Sequence, residues 1–493
     1  MKKRIGIVGS GLGGLSAAIR LASAGYEAEV FESNSYPGGK ASSVEFDGFR
    51  FDAGPSLLTM PFVLEDLFAE AGENLSDYLK LKRMDIICKY FYQDSTTIYA
   101  YSNTSKFAYE IELKTADKKD SVLNYLDYCK NIYDLTAELF LFMSPSQIKT
   151  FFNFKALKTL FKINQIDPFR TMDKSNRRFF KDEKTIQLFN RYATYNGSDP
   201  YQAPATLNII QHVEHNLGAF LPEKGIHQIT QELYNLALKK NVKFHFNTEV
   251  KSLVSENGSV KAINTDDNTY NFDAVISNSD VNTTFQKLLN DNNTLESKRY
   301  QKLEPSLSGL VFYWAINDSH PQLEVHNVIF SADYKKEFND IFNNRIIPED
   351  PTIYIYISSK YNQDDAPSGK ENWFVMVNAP YIKEQNWNQE IKSSRKRIVD
   401  KINSVLGINI ENKISGERIL SPLDIQNKTG SFRGSIYGIS SNSRNAAFLR
   451  QPNKSRSYKN LYFCGGSSHP GGGIPLVILS GKIVSDLIKK DTK

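Results

Sequence analysis

The sequence predicts an α/β fold in which a Rossmann-like parallel sheet is interleaved with a second domain of α+β type. Three observations predict it. A glycine-rich turn, Gly9-Ser10-Gly11-Leu12-Gly13-Gly14, lies close to the N-terminus between an apolar strand and a helix pattern. An acid, Glu32, ends the next short strand. Strand and helix patterns of the same kind return in the middle of the chain and at its C-terminus.

The first strand is Arg4-Ile5-Gly6-Ile7-Val8 and the helix is Leu15 to Ala22, rich in alanine and leucine. This is the context a dinucleotide fingerprint requires. Gly9 allows the tight turn, Gly11 lets backbone N–H groups approach a pyrophosphate, and Gly14 lets the helix pack close to the sheet. Leu12 and Gly13 complete the turn, and the helix N-terminus offers positive charge to phosphates. The second strand, Ala28 to Phe31, delivers Glu32 to accept ribose hydroxyl protons, with Ser33 beside it. An acid at that place disfavours a 2′-phosphate, so NADP is not expected.

The next residues point to FAD. Pro37-Gly38-Gly39-Lys40 forms a second backbone-lined anion site, suited to the other end of a pyrophosphate. Asp52-Ala53-Gly54-Pro55-Ser56 closes the segment after the strand Phe49-Arg50-Phe51, and places Pro55 and Ser56 by the cofactor. No second fingerprint follows, so a separate nicotinamide domain is not expected. Cys88, Cys129 and Cys464 are far apart, which excludes a C-x-x-C dithiol.

The N-terminal pattern resembles that of flavin amine oxidases and carotenoid desaturases. The C-terminal run Leu461-Tyr462-Phe463-Cys464-Gly465-Gly466-Ser467-Ser468-His469-Pro470-Gly471-Gly472-Gly473-Ile474-Pro475 is similar to the signature of bacterial-type phytoene desaturases and their relatives. So are Arg191-Tyr192-Ala193-Thr194-Tyr195-Asn196-Gly197, Ala203-Pro204-Ala205 and Gly225-Ile226-His227-Gln228-Ile229. The resemblance runs from Lys3 to about Lys489. Lys40 stands where an arginine is common, and Lys224-Gly225 replaces a usual glycine pair; charge and the second glycine remain.

The resemblance implies FAD as cofactor, with Gly465, Gly466, Gly473, Ile474 and Pro475 placing a helix end at the flavin and Val250 meeting the adenine through its backbone. It implies desaturation of an acyclic carotenoid, nearest to enzymes acting on hydroxylated acyclic carotenoids at the 3,4 bond. Phytoene or diapophytoene desaturation, terminal oxygenation and amine oxidation are alternatives on the same fold, and a non-catalytic flavin- or lipid-binding protein is a distant one. From the residues alone, the C-terminal glycines leading into the apolar helix Leu476 to Ile488 again offer N–H groups to an electron-rich acceptor.

The chain of 493 residues is long enough for two or three domains. Its 40% hydrophobic and 23% charged content fit a soluble globular protein, and few cysteines fit a reducing cytoplasm. A net charge of +5 is modest for this length and argues against nucleic acid as a partner. Lys2-Lys3-Arg4 before an apolar run is explained by the fingerprint rather than by targeting. No run approaches ~20 apolar residues, so no spanning helix is expected. The domain reading is 1–70, 225–285 and 455–493 for the FAD-binding part, with helix Gln228 to Lys239 and strands Val242 to Phe246, Val250 to Val254 and Asp273 to Asn278. Segments 71–224 and 286–454 make the substrate part, with long strands at Gly309 to Ile316 and Thr352 to Ile357.

Within 139–163 lies a segment suited to a lipid surface. Phe154, Leu157, Leu160 and Phe161 share one helical face, and Lys155, Lys158 and Lys162 cluster beside it without acids. Pattern alone favours a core-facing helix; the resemblance favours an interfacial one, since a carotenoid must be taken from the membrane. The expected location is therefore cytoplasmic and peripheral to a membrane. Glu214, in Gln211-His212-Val213-Glu214-His215, is the candidate catalytic assistant, against the alternative of a structural ion pair. The histidines show no metal-ligand spacing, and no metal is expected.

Overall fold

The computed structural model describes residues 2–143, 166–443 and 450–492. Its parallel sheet has five strands in the order Leu461–Phe463, Ala274–Ser277, Arg4–Val8, Glu27–Phe31 and Lys243–His245. Neighbours in this sheet come from the two ends and the middle of the chain, as the returning strand and helix patterns predict. Strands buried on both faces read as apolar runs, and Ile5, Ile7, Val30, Val275 and Ile276 are fully buried.

Three helices cover this sheet: Leu12–Ser23, His227–Lys239 and Ile474–Asp491. The first and last approach closely because small residues face each other. A Cβ built on Gly481 would lie 2.6 Å from the Gly13 carbonyl oxygen. The helix over the fingerprint starts at Leu12 rather than Leu15, so its first turn includes Gly13 and Gly14. The expected strand Val250 to Val254 is observed as Ser252–Glu256, which leaves Val250 in the turn before it. It pairs with Ser259–Asn264 in a small antiparallel sheet.

The second sheet has seven strands, in the order Ile414–Leu420, Ser308–Ile316, Glu371–Ala379, Ile353–Ile357, His326–Ile329, Ile86–Phe91 and Thr97–Tyr101. All pairs are antiparallel except His326–Ile329 with Ile86–Phe91. Alternation decides its two faces. Phe312, Trp314, Ile353, Ile355, Trp373 and Val375 pack under helix Trp387–Leu406. Val311, Tyr313, Tyr356 and Phe374 face the other way, toward Phe49, Phe51 and Ala53 of the hairpin strand that closes the N-terminal segment. A helical layer with Thr104–Lys114, Lys119–Phe140 and Glu183–Asn190 completes this half. No described helix is long and apolar enough to cross a membrane. Phe151 to Ile163, including Phe154 and Lys155, lies outside the described residues.

Candidate active site

A cavity of about 1260 Å³ runs between the two sheets. At one end, glycine loops converge. Strand Arg4–Val8 ends in Gly9, whose φ of +90° turns the chain into the helix. The Gly38 N–H donates to the Ser10 carbonyl, and the backbones at Gly11 and Gly38 pair. A Cβ on Gly39 would lie 3.6 Å from the Gly11 Cα, and one on Gly13 would lie 2.9 Å from the Gly465 nitrogen. A side chain at Gly13 would clash where the first and last loops meet, and the left-handed backbone at Gly39, with φ of +57°, disfavours one there. Gly9, Gly11, Leu12, Gly13, Gly38, Gly39, Gly465 and Gly466 all line the cavity. Gly14 is the exception among the predicted residues: it does not line the wall. A Cβ there would lie 2.3 Å from the Gly9 carbonyl oxygen, so its place is in helix packing rather than at the cofactor.

Two helices point their N-termini at this cavity, and neither has a side-chain cap. Leu12–Ser23 starts after Gly11, and Ile474–Asp491 starts after Gly473, with Pro475 in its first turn. Elsewhere, Thr104–Lys114 and Glu183–Asn190 are capped by Asn103 and Asp182. Uncapped first-turn N–H groups are donors awaiting an acceptor, and the helix end is positive. Gly473, Ile474 and Pro475 line the cavity.

Glu32 is buried, with 6% exposure. Its Oε2 accepts from the Ser10 N–H at 2.9 Å and the Ser10 hydroxyl at 2.7 Å, and its Oε1 accepts from the Asn34 side chain at 2.7 Å. The carboxylate therefore ties the fingerprint turn to the second strand as well as facing the cavity. The Thr248 N–H donates to the Glu32 carbonyl, which brings Val250 to the same wall as Ser33. Lys40 reaches the cavity too, but its charge is already engaged. Its ammonium donates to the carbonyl of Ile436 at 2.7 Å. Burial pulls its pKa down to about 8, opposed by Asp280 nearby.

The other end of the cavity faces the second sheet. Val311, Tyr313, Val328 and Phe374, on strands of that sheet, line it with apolar side chains, and Val213 and Ile210 also line the cavity. Pro55 and Ser56 also line the cavity. The Ser56 hydroxyl lies 2.6 Å from the Tyr354 hydroxyl, which lies 2.7 Å from His326 Nδ1.

Glu214 lines this half and is fully buried. It sits on a π-helical turn, His212–Leu217, a geometry frequent at functional sites. Tyr192 donates to its Oε1 at 2.7 Å and Tyr195 to its Oε2 at 2.5 Å. Arg191 stands 3.8 Å away. His215 contacts Tyr192 at 2.8 Å and stacks on Phe107; burial holds its pKa down to about 4. His212 turns elsewhere, to Asn216.

Several wall residues have no motif to announce them. Asn278, at the end of a core strand, donates to the Gly9 carbonyl and is contacted by the Cys464 thiol, so it joins the first and last loops. Buried Arg450 donates to the carbonyls of Tyr437 and Gly466 at 2.7 and 2.9 Å and holds the C-terminal glycine turn. Tyr354 had a signal: Ile353-Tyr354-Ile355-Tyr356-Ile357 alternates, which puts both tyrosines on one face.

Comparison with known proteins gives consistent results. Residues 12–489 match the family model described as flavin containing amine oxidoreductase. The chain is 43% identical to a 1-hydroxycarotenoid 3,4-desaturase from Flavobacterium sp. (strain P99-3), over 99% of both chains. It is 32% identical to a 4,4'-diaponeurosporene oxygenase from Staphylococcus haemolyticus (strain JCSC1435), over 99% of this chain and 97% of that one. An oxidoreductase from Methanosarcina mazei shares the fold with a TM-score of 0.64 and 17% identity, over 98% of this chain and 100% of that one.

Proposed function

Because the chain belongs to the flavin containing amine oxidoreductase family, and within it to the carotenoid desaturases, it is an FAD-dependent oxidoreductase, and we propose that it desaturates a 1-hydroxylated acyclic carotenoid at the 3,4 bond. The observation that carries the reading is full-length identity of 43% to an enzyme of that name, joined to a single cavity with a nucleotide cradle at one end and an apolar wall at the other.

The residues present fit FAD. Two uncapped helix ends and three abutting glycine loops suit a pyrophosphate and a flavin. The pyrophosphate would rest on the N–H groups after Gly11, the ribose on Glu32, the adenine by Val250, and the flavin by Lys40, Pro55, Ser56 and the turn from Gly465 to Pro475. We assign the parallel sheet with its helices, from 1–70, 225–285 and 455–493, to FAD binding and the remainder to the substrate.

Bound FAD supplies a hydride acceptor. The chain's own task is to hold an allylic carbon near it, exclude water and receive the proton lost from the neighbouring carbon. The apolar wall of Val311, Val328 and Phe374 does the second. Glu214 is the proposed polar assistant: its negative charge stands in a wall beside a substrate that becomes positive as hydride leaves. Glu214→Gln is expected to lower turnover about 10- to 100-fold while FAD stays bound. Unchanged turnover would return Glu214 to a structural role with Arg191.

The membrane supplies the substrate in this reading. Helix Lys119–Phe140 ends at the cavity, where Phe140 and Leu141 line the wall. The lysines and aromatic residues that follow in the sequence, through residue 163, suit an anionic lipid surface. The protein is proposed to work in the cytoplasm at that surface.

The relative named as an oxygenase favours a second reading, terminal oxygenation. Expression in a host that accumulates 1-hydroxylated acyclic carotenoids separates the two. A pigment two hydrogens lighter with one more conjugated double bond is the expected result, and a pigment that has gained oxygen would replace the first reading with the second.

A further inference from the structure

Removing two hydrogens, one of them as hydride, leaves a proton that some group must take. The acids and histidines described in the cavity wall are Glu32, Glu214, Glu249, Asp280, His326 and His469. Five of them are engaged. Glu32 holds the fingerprint turn, Glu249 pairs with Lys251, and Asp280 caps a helical turn beside Lys40. Both oxygens of Glu214 accept from tyrosines. His326 Nδ1 is bonded to Tyr354, and its Nε2 is closed in by protein.

His469 differs. It belongs to the C-terminal glycine turn, lines the cavity and is 9% exposed. Its backbone is held firmly. The N–H donates to the Gln451 carbonyl at 2.9 Å, and the carbonyl accepts from Asn453 Nδ2 at 2.8 Å and from the Ser480 hydroxyl at 2.7 Å. Its Nε2 lies 2.8 Å from the Met143 carbonyl. A carbonyl oxygen only accepts, so Nε2 carries the hydrogen and Nδ1 carries the lone pair. Nδ1 has no hydrogen-bond partner among the described residues. Unlike the unpartnered His215 Nδ1 and His326 Nε2, it is not closed in by protein. Burial pushes the imidazole pKa down to about 4, so the ring is neutral at neutral pH.

The bond to Met143 also places the ring. Phe140 and Leu141, shortly before Met143 in the chain, line the cavity, and Gly472 to Pro475, shortly after His469, line it too. The imidazole therefore stands where the glycine turn meets the end of helix Lys119–Phe140. That turn leads into the helix end proposed to meet the flavin.

We propose that His469 is the proton acceptor of the desaturation, its Nδ1 taking a proton from the carbon next to the one that gives up hydride. The electron pair of the broken C–H bond becomes the new double bond, and the hydride of the allylic carbon goes to FAD. A polyene cation is a far stronger acid than an imidazolium, so a weak base suffices. At neutral pH the imidazolium then gives its proton to water as product leaves. The inference rests on the desaturase reading above and supplies the base for it; Glu214 keeps its electrostatic part.

The test uses purified holoenzyme and a 1-hydroxylated acyclic carotenoid in detergent, either unlabelled or deuterated at the carbon that loses the proton. His469→Gln keeps an N–H donor for the Met143 carbonyl and has no basic nitrogen. It is expected to retain FAD, to leave KM little changed and to lower kcat about 100-fold or more. Deuterium is expected to slow this variant by a larger factor than wild type, because proton loss has become the slow step. His469→Ala is expected to show the same two effects, and decides the matter if His469→Gln does not fold or hold FAD. The proposal is overturned if either FAD-bound variant turns over like wild type, or if the variants are slow but keep the wild-type isotope effect, as a structural bond to Met143 alone would give. A wild type that converts no carotenoid removes the desaturase reading, and the proposal with it.

Discussion

Glu32→Ala protein is expected to purify without FAD and therefore without yellow colour. The carboxylate has two jobs at once. It faces the cavity where a ribose would lie, and it accepts hydrogen bonds from Ser10 that hold the fingerprint turn against the second strand. Hydrogen bonds to a charged acceptor contribute about 1.5–3 kcal/mol each. Losing two toward a ribose weakens FAD by about 3–6 kcal/mol, and a loosened turn adds to that. Gly11→Val is expected to have the same effect for a different reason. A Cβ at Gly11 would lie 2.8 Å from the amide of Asn278, the residue that joins the first and last loops, so a branched side chain displaces the loops that form the cradle. Flavin absorbance after desalting, with circular dichroism to confirm folding, checks both. Folded variants that remain fully yellow would remove the N-terminal cradle from the account.

Replacing Lys155, Lys158 and Lys162 together with glutamate is expected to weaken binding to anionic liposomes strongly. Each lysine near such a surface contributes about 1 kcal/mol, so the lost attraction alone is about 3 kcal/mol, more than about a hundredfold, before repulsion of the new acids. Co-sedimentation measures it. The flavin spectrum is expected to stay the same. Activity on carotenoid in liposomes is expected to fall more than activity on carotenoid in detergent. Equal loss in both formats would assign the segment to the substrate channel, and wild-type indifference to liposomes would remove the membrane proposal.

The legible part of this molecule is the part where backbone is the functional group. A glycine needed for close approach cannot be replaced quietly, so Gly9 to Gly14, Gly38-Gly39 and Gly465 to Gly473 mark themselves, and the acid that follows a core strand marks itself by position. The parallel sheet was legible for the same reason, since strands buried on both faces are short apolar runs. Three things were less so. The sequence pattern starts the helix at Leu15 rather than Leu12 because glycine in a first turn reads as loop, although an uncapped turn is what a phosphate site requires. The sequence shows only the charge of Lys40, whereas its partners, the carbonyls of Ser435 and Ile436, come from a distant loop. Arg191 and Tyr195, on one helical turn, meet Glu214 on another, and His326 and Tyr354 line the same cavity from two strands; no spacing encodes that meeting. Only the alternation around Tyr354 gave a face, and a face is not yet a neighbour.

This cavity is proposed to transfer hydride from an acyclic carotenoid to FAD without adding oxygen. That transfer is tested most directly by mixing the holoenzyme, free of oxygen, with a 1-hydroxylated acyclic carotenoid, and following the flavin absorbance while the product is weighed by mass spectrometry. The flavin is expected to bleach in proportion to the formation of a product two hydrogens lighter, with the new double bond at the 3,4 position. Flavin that stays oxidised while the carotenoid is unchanged, or a product that has gained oxygen once air is admitted and never lost hydrogen, would contradict it.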